Sequence, residues 1–169
     1  SRGVRAEPSQ VVVGAGIQVL FSLLASFLRT STQEIAFEYP GFSKGMYVFE
    51  DHGYKTLKIP IEEDGLRIED LEKSRAKIVY VSPSHQYPTG SVMPIRKRMQ
   101  LLSWAEREKG YIIEDDYDSI LRYDGYPAPA HHGISASGRV IHAGSFPKLL
   151  IPSLRISFLI LPQELLESF

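Results

Sequence analysis

One lysine in this chain stands where an amine could do covalent chemistry. The run Val140-Ile141-His142-Ala143-Gly144-Ser145-Phe146-Pro147-Lys148 opens apolar and strand-like, narrows to small residues, and then presents Lys148. Such an amine is either a surface charge or a nucleophile placed to form a Schiff base. It attacks only in its neutral form, so burial or cationic neighbours must lower its pKa. Asp115, in Glu114-Asp115-Asp116-Tyr117-Asp118, ends another apolar run. A carboxylate there is commonly a cap or a solvated turn; beside a pyridine ring it keeps the ring nitrogen protonated and makes the ring an electron sink. Arg155, seven residues past Lys148, offers paired guanidinium donors to a phosphate, or else a surface salt bridge. Gly14-Ala15-Gly16 precedes a long apolar run, so its backbone N–H groups fall at a helix N-terminus, where anions are favoured. A plain strand-to-helix turn needs glycine there as well.

A dinucleotide fingerprint is the rival reading of that turn. Gly14 and Gly16 fit its first two positions, and Glu38 ends the next strand, where a ribose-binding acid belongs. Val19 occupies the third small position, however, and would hold helix and strand apart. Asp115, Asp116 and Asp118 lack the spacing of a calcium loop. The histidines show no ligand spacing either, and His85, His131, His132 and His142 read as surface or loop residues. No metal is expected.

The elements that must position these residues alternate. Strands are expected over 11–13, 34–38, 55–61, 77–81, 111–114, 139–143 and 154–161. Helices are expected over 17–28, after Phe42 to about 51, over 68–74 and over 94–108, with a Gly-, Pro- and Ala-rich loop over 124–138. The almost wholly apolar 17–28 segment reads as a buried helix. The alternation predicts an α/β fold with a mostly parallel central sheet flanked by helices. The unusual motifs (Gly14-Ala15-Gly16, Pro40-Gly41-Phe42, residues 84–90, Asp115-Asp116-Tyr117, residues 145–148) each lie just past a strand. In a parallel sheet those strand ends share one edge, so five scattered motifs converge on one crevice.

Bulk properties narrow the class. A length of 169 residues suits one domain with a sizeable core, or a piece of a larger protein. A net charge of −1 leaves no electrostatic footprint for nucleic acid. No apolar run is long enough to span a bilayer and no secretion signal precedes the first strand, so no membrane partner is expected. The absence of cysteine excludes disulfides and thiolate metal sites and fits a reducing compartment, with a cytoplasmic location as the default. The chain begins at Ser1 and stops at Phe169 inside a helix-like run, so residues 1–169 read as an excised domain.

Taken together, the motifs resemble the large domain of fold-type I, pyridoxal-phosphate-dependent aminotransferases, and most of all the aminotransferase-like domain of MocR-type regulators of the GntR superfamily. The resemblance covers nearly the whole chain. It is carried by Pro83-Ser84-His85-Gln86-Tyr87-Pro88-Thr89-Gly90, by Ile113-Glu114-Asp115-Asp116-Tyr117-Asp118-Ser119 with Arg122-Tyr123, and by Gly144-Ser145-Phe146-Pro147-Lys148 followed by Pro152-Ser153-Leu154-Arg155. It implies pyridoxal 5'-phosphate as cofactor, with Lys148 as the Schiff-base lysine. Asp115 would pair with the pyridinium nitrogen, and Tyr117 would donate to the ring's phenolic oxygen. Ser145, Arg155 and the backbone at Ala15, Gly16 and Ile17 would bind the phosphate, and Phe42 would stack on the ring.

The departures are specific. Pro147 stands where Ser usually precedes the lysine, and Ile120 stands where the regulators usually carry Glu. The aminotransferase asparagine that touches the ring oxygen aligns with Tyr87, with His85 and Gln86 as alternatives for that contact. Neither a winged helix-turn-helix nor the small C-terminal domain lies within the chain. The resemblance therefore implies an effector-sensing domain, completed as a homodimer, that reaches DNA only through a domain outside this chain. A bound amine or amino acid would exchange with Lys148 and bias the regulator's conformation. A fragment of a catalytic aminotransferase is the alternative, and a dinucleotide-binding domain, which gives Lys148 and Asp115 no role, is the third reading.

Overall fold

The computed structural model describes residues 6–29, 33–117, 138–146 and 156–166. A short 3-10 turn (Pro8–Gln10) leads into β1 (Val11–Gly14), α1 (Ile17–Leu28), β2 (Glu34–Tyr39), α2 (Ser43–Asp51), β3 (Lys55–Glu62), β4 (Gly65–Leu66), α3 (Ile68–Lys73) and β5 (Ile78–Val81). Then come α4 (Ile95–Glu108), β6 (Tyr111–Asp116), β7 (Val140–Ser145), β8 (Ser157–Ile160) and a single turn of helix, α5 (Gln163–Leu166). No helix among the described residues is long and apolar enough to cross a membrane.

The strands form one sheet in the order β1-β8-β7-β6-β5-β2-β3-β4. From β7 to β3 every pairing is parallel. β8 runs antiparallel to β7, and β1 antiparallel to β8, with Val11 opposite Ile160 and Gly14 opposite Ser157. Two reversals restore direction, so β1 points the same way as β7. Its Gly14-Ala15-Gly16 end therefore opens on the edge shared by β2, β5, β6 and β7, as the α/β reading requires.

Period-two alternation divides the core. Ile78, Tyr80, Ile113 and Ile141 face a layer built with Leu20, Phe21 and Leu24 of α1 and Phe49 of α2. Val79, Val81, Ile112 and Val140 face the opposite layer with Leu71 of α3 and Leu101 and Trp104 of α4. Strands covered on both faces read as continuous apolar runs, which is why 78–81 and 111–113 stand out in the sequence. The expectation of a buried α1 needs correcting. Leu20, Phe21, Leu24 and Leu28 are buried, but Val19 and Leu23 are each 50% exposed, so this helix is apolar on a stripe that nothing in the described residues covers.

Three further differences bear on the site. β6 continues through Asp116 and β7 through Ser145, so Asp115 and Ser145 sit at the last rungs of the sheet and not beyond it. Pro94 is the N-cap of α4 and stands just outside it. His142, read as a surface or loop residue, is buried in β7, where its Nδ1 lies 3.8 Å from Glu114 Oε2. Strand pairing, invisible to the sequence, turns it inward.

Glu114 also faces Arg98 of α4, whose Nη1 is 3.7 Å from Oε1, both side chains being buried. Arg98 donates through Nε to Met93 O (2.9 Å) and through Nη2 to Pro83 O (2.7 Å). One guanidinium thus fixes both ends of the 83–93 loop to β6. Replacing it removes the guanidinium that faces Glu114 and carries the hydrogen bonds to Met93 and Pro83. Arg98→Met should lower the unfolding free energy by about 3–5 kcal/mol in urea titrations; a loss under about 1 kcal/mol, the range of an exposed pair, would show that the interaction does not hold the loop.

Candidate cofactor site

A cleft of about 840 Å³ opens along the shared strand edge. Eight of the residues singled out in the sequence line it: Ala15, Gly16, Ile17, Phe42, Tyr87, Asp115, Tyr117 and Ser145. Lys148 and Arg155 lie outside the described residues.

The wall at α1 is backbone. Gly16 adopts φ 103°, a conformation suited to glycine, and its N–H donates to Gly14 O (3.0 Å). A Cβ on Gly14 would lie 2.7 Å from Leu20 Cδ2, so only glycine lets α1 start this close to β1. The first N–H groups of α1 have no intrahelical acceptor and face the favourable end of the helix dipole. Ser145 Oγ lies on the same side, 2.8 Å from Ser157 Oγ of β8.

Aromatic rings and one carboxylate make the floor. Phe42 stacks on Tyr80 at 6.0 Å, and Tyr80 on Phe37 at 5.1 Å. The close turn at Gly41, where a Cβ would meet Glu38 O at 2.2 Å, is what swings Phe42 over the sheet edge. The Tyr80 hydroxyl donates to Asp115 Oδ2 at 2.6 Å. Asp115 is 6% exposed. Burial pushes its carboxyl up to about 6, against the Tyr80 hydrogen bond, which lowers it; Asp116 and Glu114 add to the rise and His142 opposes it. The Tyr80 phenol is in turn driven well above its usual range by burial and by Asp115.

The loop after β5 is knit by Gln86. Its Nε2 donates to Pro40 O (2.9 Å) and Tyr87 O (2.6 Å), and its Oε1 accepts from the Thr89 N–H (3.2 Å) and hydroxyl (2.7 Å). Gln86 is thus engaged within the loop and does not line the cleft. Tyr87 does, with its ring half exposed. His85 lies against Tyr117 with ring centroids 5.8 Å apart.

Glu38, the acid a dinucleotide reading needs at the ribose, is 1% exposed and accepts the Ser82 N–H at Oε2 (3.0 Å). Burial raises its carboxyl to about 7, with the Ser82 N–H opposing. The glycine turn, moreover, follows an edge strand, whereas the dinucleotide fold places it on a central one. Both observations count against that alternative.

Sequence reasoning missed Tyr80, Ser82 and Lys44, which also line the cleft. The only signal for Tyr80 is a phenol inside an otherwise aliphatic strand. Its reach follows from register: Tyr80 pairs with Ile113, so Asp115, two residues on, shares its face one diagonal step away.

The donor set suits a planar, phosphorylated, nitrogen-containing ring: an anion-favouring helix start, an aromatic wall, and an acid held at the floor. The chain is 43% identical over 167 residues to the uncharacterized HTH-type transcriptional regulator YhdI of Bacillus subtilis, covering 99% of this chain and 35% of that protein. It is 40% identical over 169 residues to the probable rhizopine catabolism regulatory protein MocR of Rhizobium meliloti, covering 100% of this chain and 34% of that one. Relatives at 35–43% identity are HTH-type transcriptional regulators, MocR among them, and an aromatic-amino-acid aminotransferase of Thermococcus litoralis is 28% identical. Among solved structures, LysN, an α-aminoadipate aminotransferase from Thermus thermophilus complexed with N-(5'-phosphopyridoxyl)-L-leucine, superposes with a TM-score of 0.85. It is 27% identical, with 96% of this chain and 43% of that one covered. The fold is therefore that of the fold-type I, pyridoxal-phosphate-dependent aminotransferases. No protein-family model matches the chain. The chain spans about a third of the length of the MocR-type relatives it matches.

The raised pKa values carry a stability consequence. For Asp115 (from 3.8 to about 6) and Glu38 (from 4.5 to about 7) the folded state binds the proton more tightly than the unfolded one. Each therefore favours folding below about pH 4 and gives that up as pH rises through the folded value. At pH 8 the Asp115 anion costs on the order of 3 kcal/mol. Asp115→Asn, which keeps an acceptor for Tyr80, should raise the Tm of the ligand-free protein at pH 8 and leave it nearly unchanged at pH 4. Equal effects at both pH values would show that the cost of the charge is not felt.

Proposed function

We propose that this chain is the pyridoxal-phosphate-binding, effector-sensing part of a GntR/MocR-type transcriptional regulator. The observation that carries the reading is the buried Asp115 carboxylate, held by Tyr80 at the floor of a cleft whose walls are Phe42 and the start of α1. Bound pyridoxal phosphate would supply an aldehyde that amines capture and a ring that withdraws electrons. The residues of this chain would orient and retain it. Asp115 would hold a proton at the ring nitrogen, Tyr117 would donate to the ring oxygen, and Phe42 would cover one face. Ser145, Arg155 and the backbone of Ala15, Gly16 and Ile17 would take the phosphate. Lys148 would provide the amine that an incoming amine or amino acid displaces. Tyr87 stands at the cleft where aminotransferases carry asparagine, and its hydroxyl is the candidate second donor.

The whole protein would sense that small molecule as a homodimer and pass the change to a DNA-binding domain outside this chain. The likeness to LysN supports a second reading, a fragment of a catalytic aminotransferase. The two separate on function: a regulator binds operator DNA in an effector-dependent way, whereas an enzyme turns over amino and keto acids.

Full-length protein mixed with pyridoxal phosphate should develop the visible absorption of lysine-linked cofactor, and Lys148→Ala should abolish it. An unchanged band in that variant would remove Lys148 from its role. Asp115→Ala should weaken retention by roughly tenfold to a hundredfold, the worth of a charge-assisted hydrogen bond. Retention within twofold of the unaltered protein, measured by equilibrium dialysis, would refute the pairing with the ring nitrogen.

A further inference from the structure

We infer that Tyr80 is the positioning residue of the site: its hydroxyl aims Asp115 into the cleft and keeps that carboxylate an anionic acceptor for a ring nitrogen. The inference rests on the pyridoxal-phosphate reading and concerns a residue that the family resemblance leaves without a role.

The geometry is specific. Tyr80 is 1% exposed, yet it borders the cleft, and its hydroxyl is committed to Asp115 Oδ2 at 2.6 Å. The ring cannot swing away, because it is stacked between Phe37 at 5.1 Å and Phe42 at 6.0 Å and meets Phe21 edge-on at 5.8 Å. One carboxylate oxygen is thus taken from below, which leaves Oδ1 for a ligand. A buried phenol is a weak acid here and donates without giving up its proton. Anionic neighbours work against it. Asp116 and Glu114 on β6 raise the affinity of Asp115 for a proton, and Glu38 on β2 interacts unfavourably with it. His142 on β7 acts in the same direction as Tyr80. Tyr117, next along the chain, lines the cleft above. Removing the hydroxyl therefore tips the balance toward a neutral Asp115, which can no longer hold a proton on the ring by charge.

The test is the pH dependence of pyridoxal phosphate affinity in the full-length protein, followed by the visible band and by dialysis. In the unaltered protein affinity should fall as pH drops through about 6, where Asp115 takes up a proton. In Tyr80→Phe, which preserves the ring stack, the fall should begin about one pH unit higher. Affinity would then drop about twofold at pH 7 and roughly tenfold at pH 5, while at pH 8.5 it stays essentially unchanged. Tyr80→3-fluorotyrosine, a stronger donor of the same shape, should move the fall the other way, and it provides the readout if the Phe variant does not fold. Profiles of either variant that superpose on the unaltered protein's would overturn the role of Tyr80 and leave the cofactor reading standing. Failure of the unaltered protein to bind pyridoxal phosphate at any pH would overturn the cofactor reading, and this inference with it.

Discussion

A carboxylate kept out of water at the end of β6 is the constraint on which the rest of the site depends. Asp115 gains one short hydrogen bond from Tyr80 and loses most of its hydration. The balance is unfavourable for the anion, as its raised pKa records. Carboxylates perturbed in this way cluster at functional sites, and a cationic ligand in the cleft would compensate this one. The surrounding packing is arranged to keep the acid in place, with Phe37, Tyr80 and Phe42 stacked in sequence from the core to the cleft.

Behind that floor, polar groups link the loops to the sheet. Glu38 reaches from β2 to the Ser82 backbone, Gln86 ties the Pro40 turn to the loop bearing Tyr87, and Arg98 joins that loop to Glu114 in β6. Glu114 and Asp115 are neighbours on one strand, pointing to opposite faces. Thus Arg98 anchors the far side of the strand whose near side presents the acid. Buried polar groups of this kind add little net stability and are costly when half satisfied. Their effect here is to fix where the loops meet.

Much of this was legible in the sequence, for a definable reason. Apolar runs such as Ile78-Val79-Tyr80-Val81 and Tyr111-Ile112-Ile113 mark strands covered on both faces, and motifs at their ends must share an edge if the strands are parallel. By that logic Gly16, Phe42, Asp115, Tyr117 and Ser145 belong together, and they line one cleft. What it could not supply was register and strand order. The pairing of Tyr80 with Ile113 decides that the phenol reaches Asp115. The neighbourhood of β2 and β5 decides that Glu38 is sealed under Ser82 and not offered to a ribose. His142 read as a surface residue because nothing local says that β7 lies inside the sheet with Glu114 beside it.

The pairing of β1 with β8 has a consequence for how the molecule is made. Val11 finds its partner in Ile160, so the earliest strand of this segment is held by one of the last. During synthesis the ribosome must release almost the entire segment before the Gly14-Ala15-Gly16 turn can settle against its neighbours. Contacts so distant along the chain form late and slow the search. Until then the part of α1 that meets β1 and β8 is uncovered and is a natural target for chaperones.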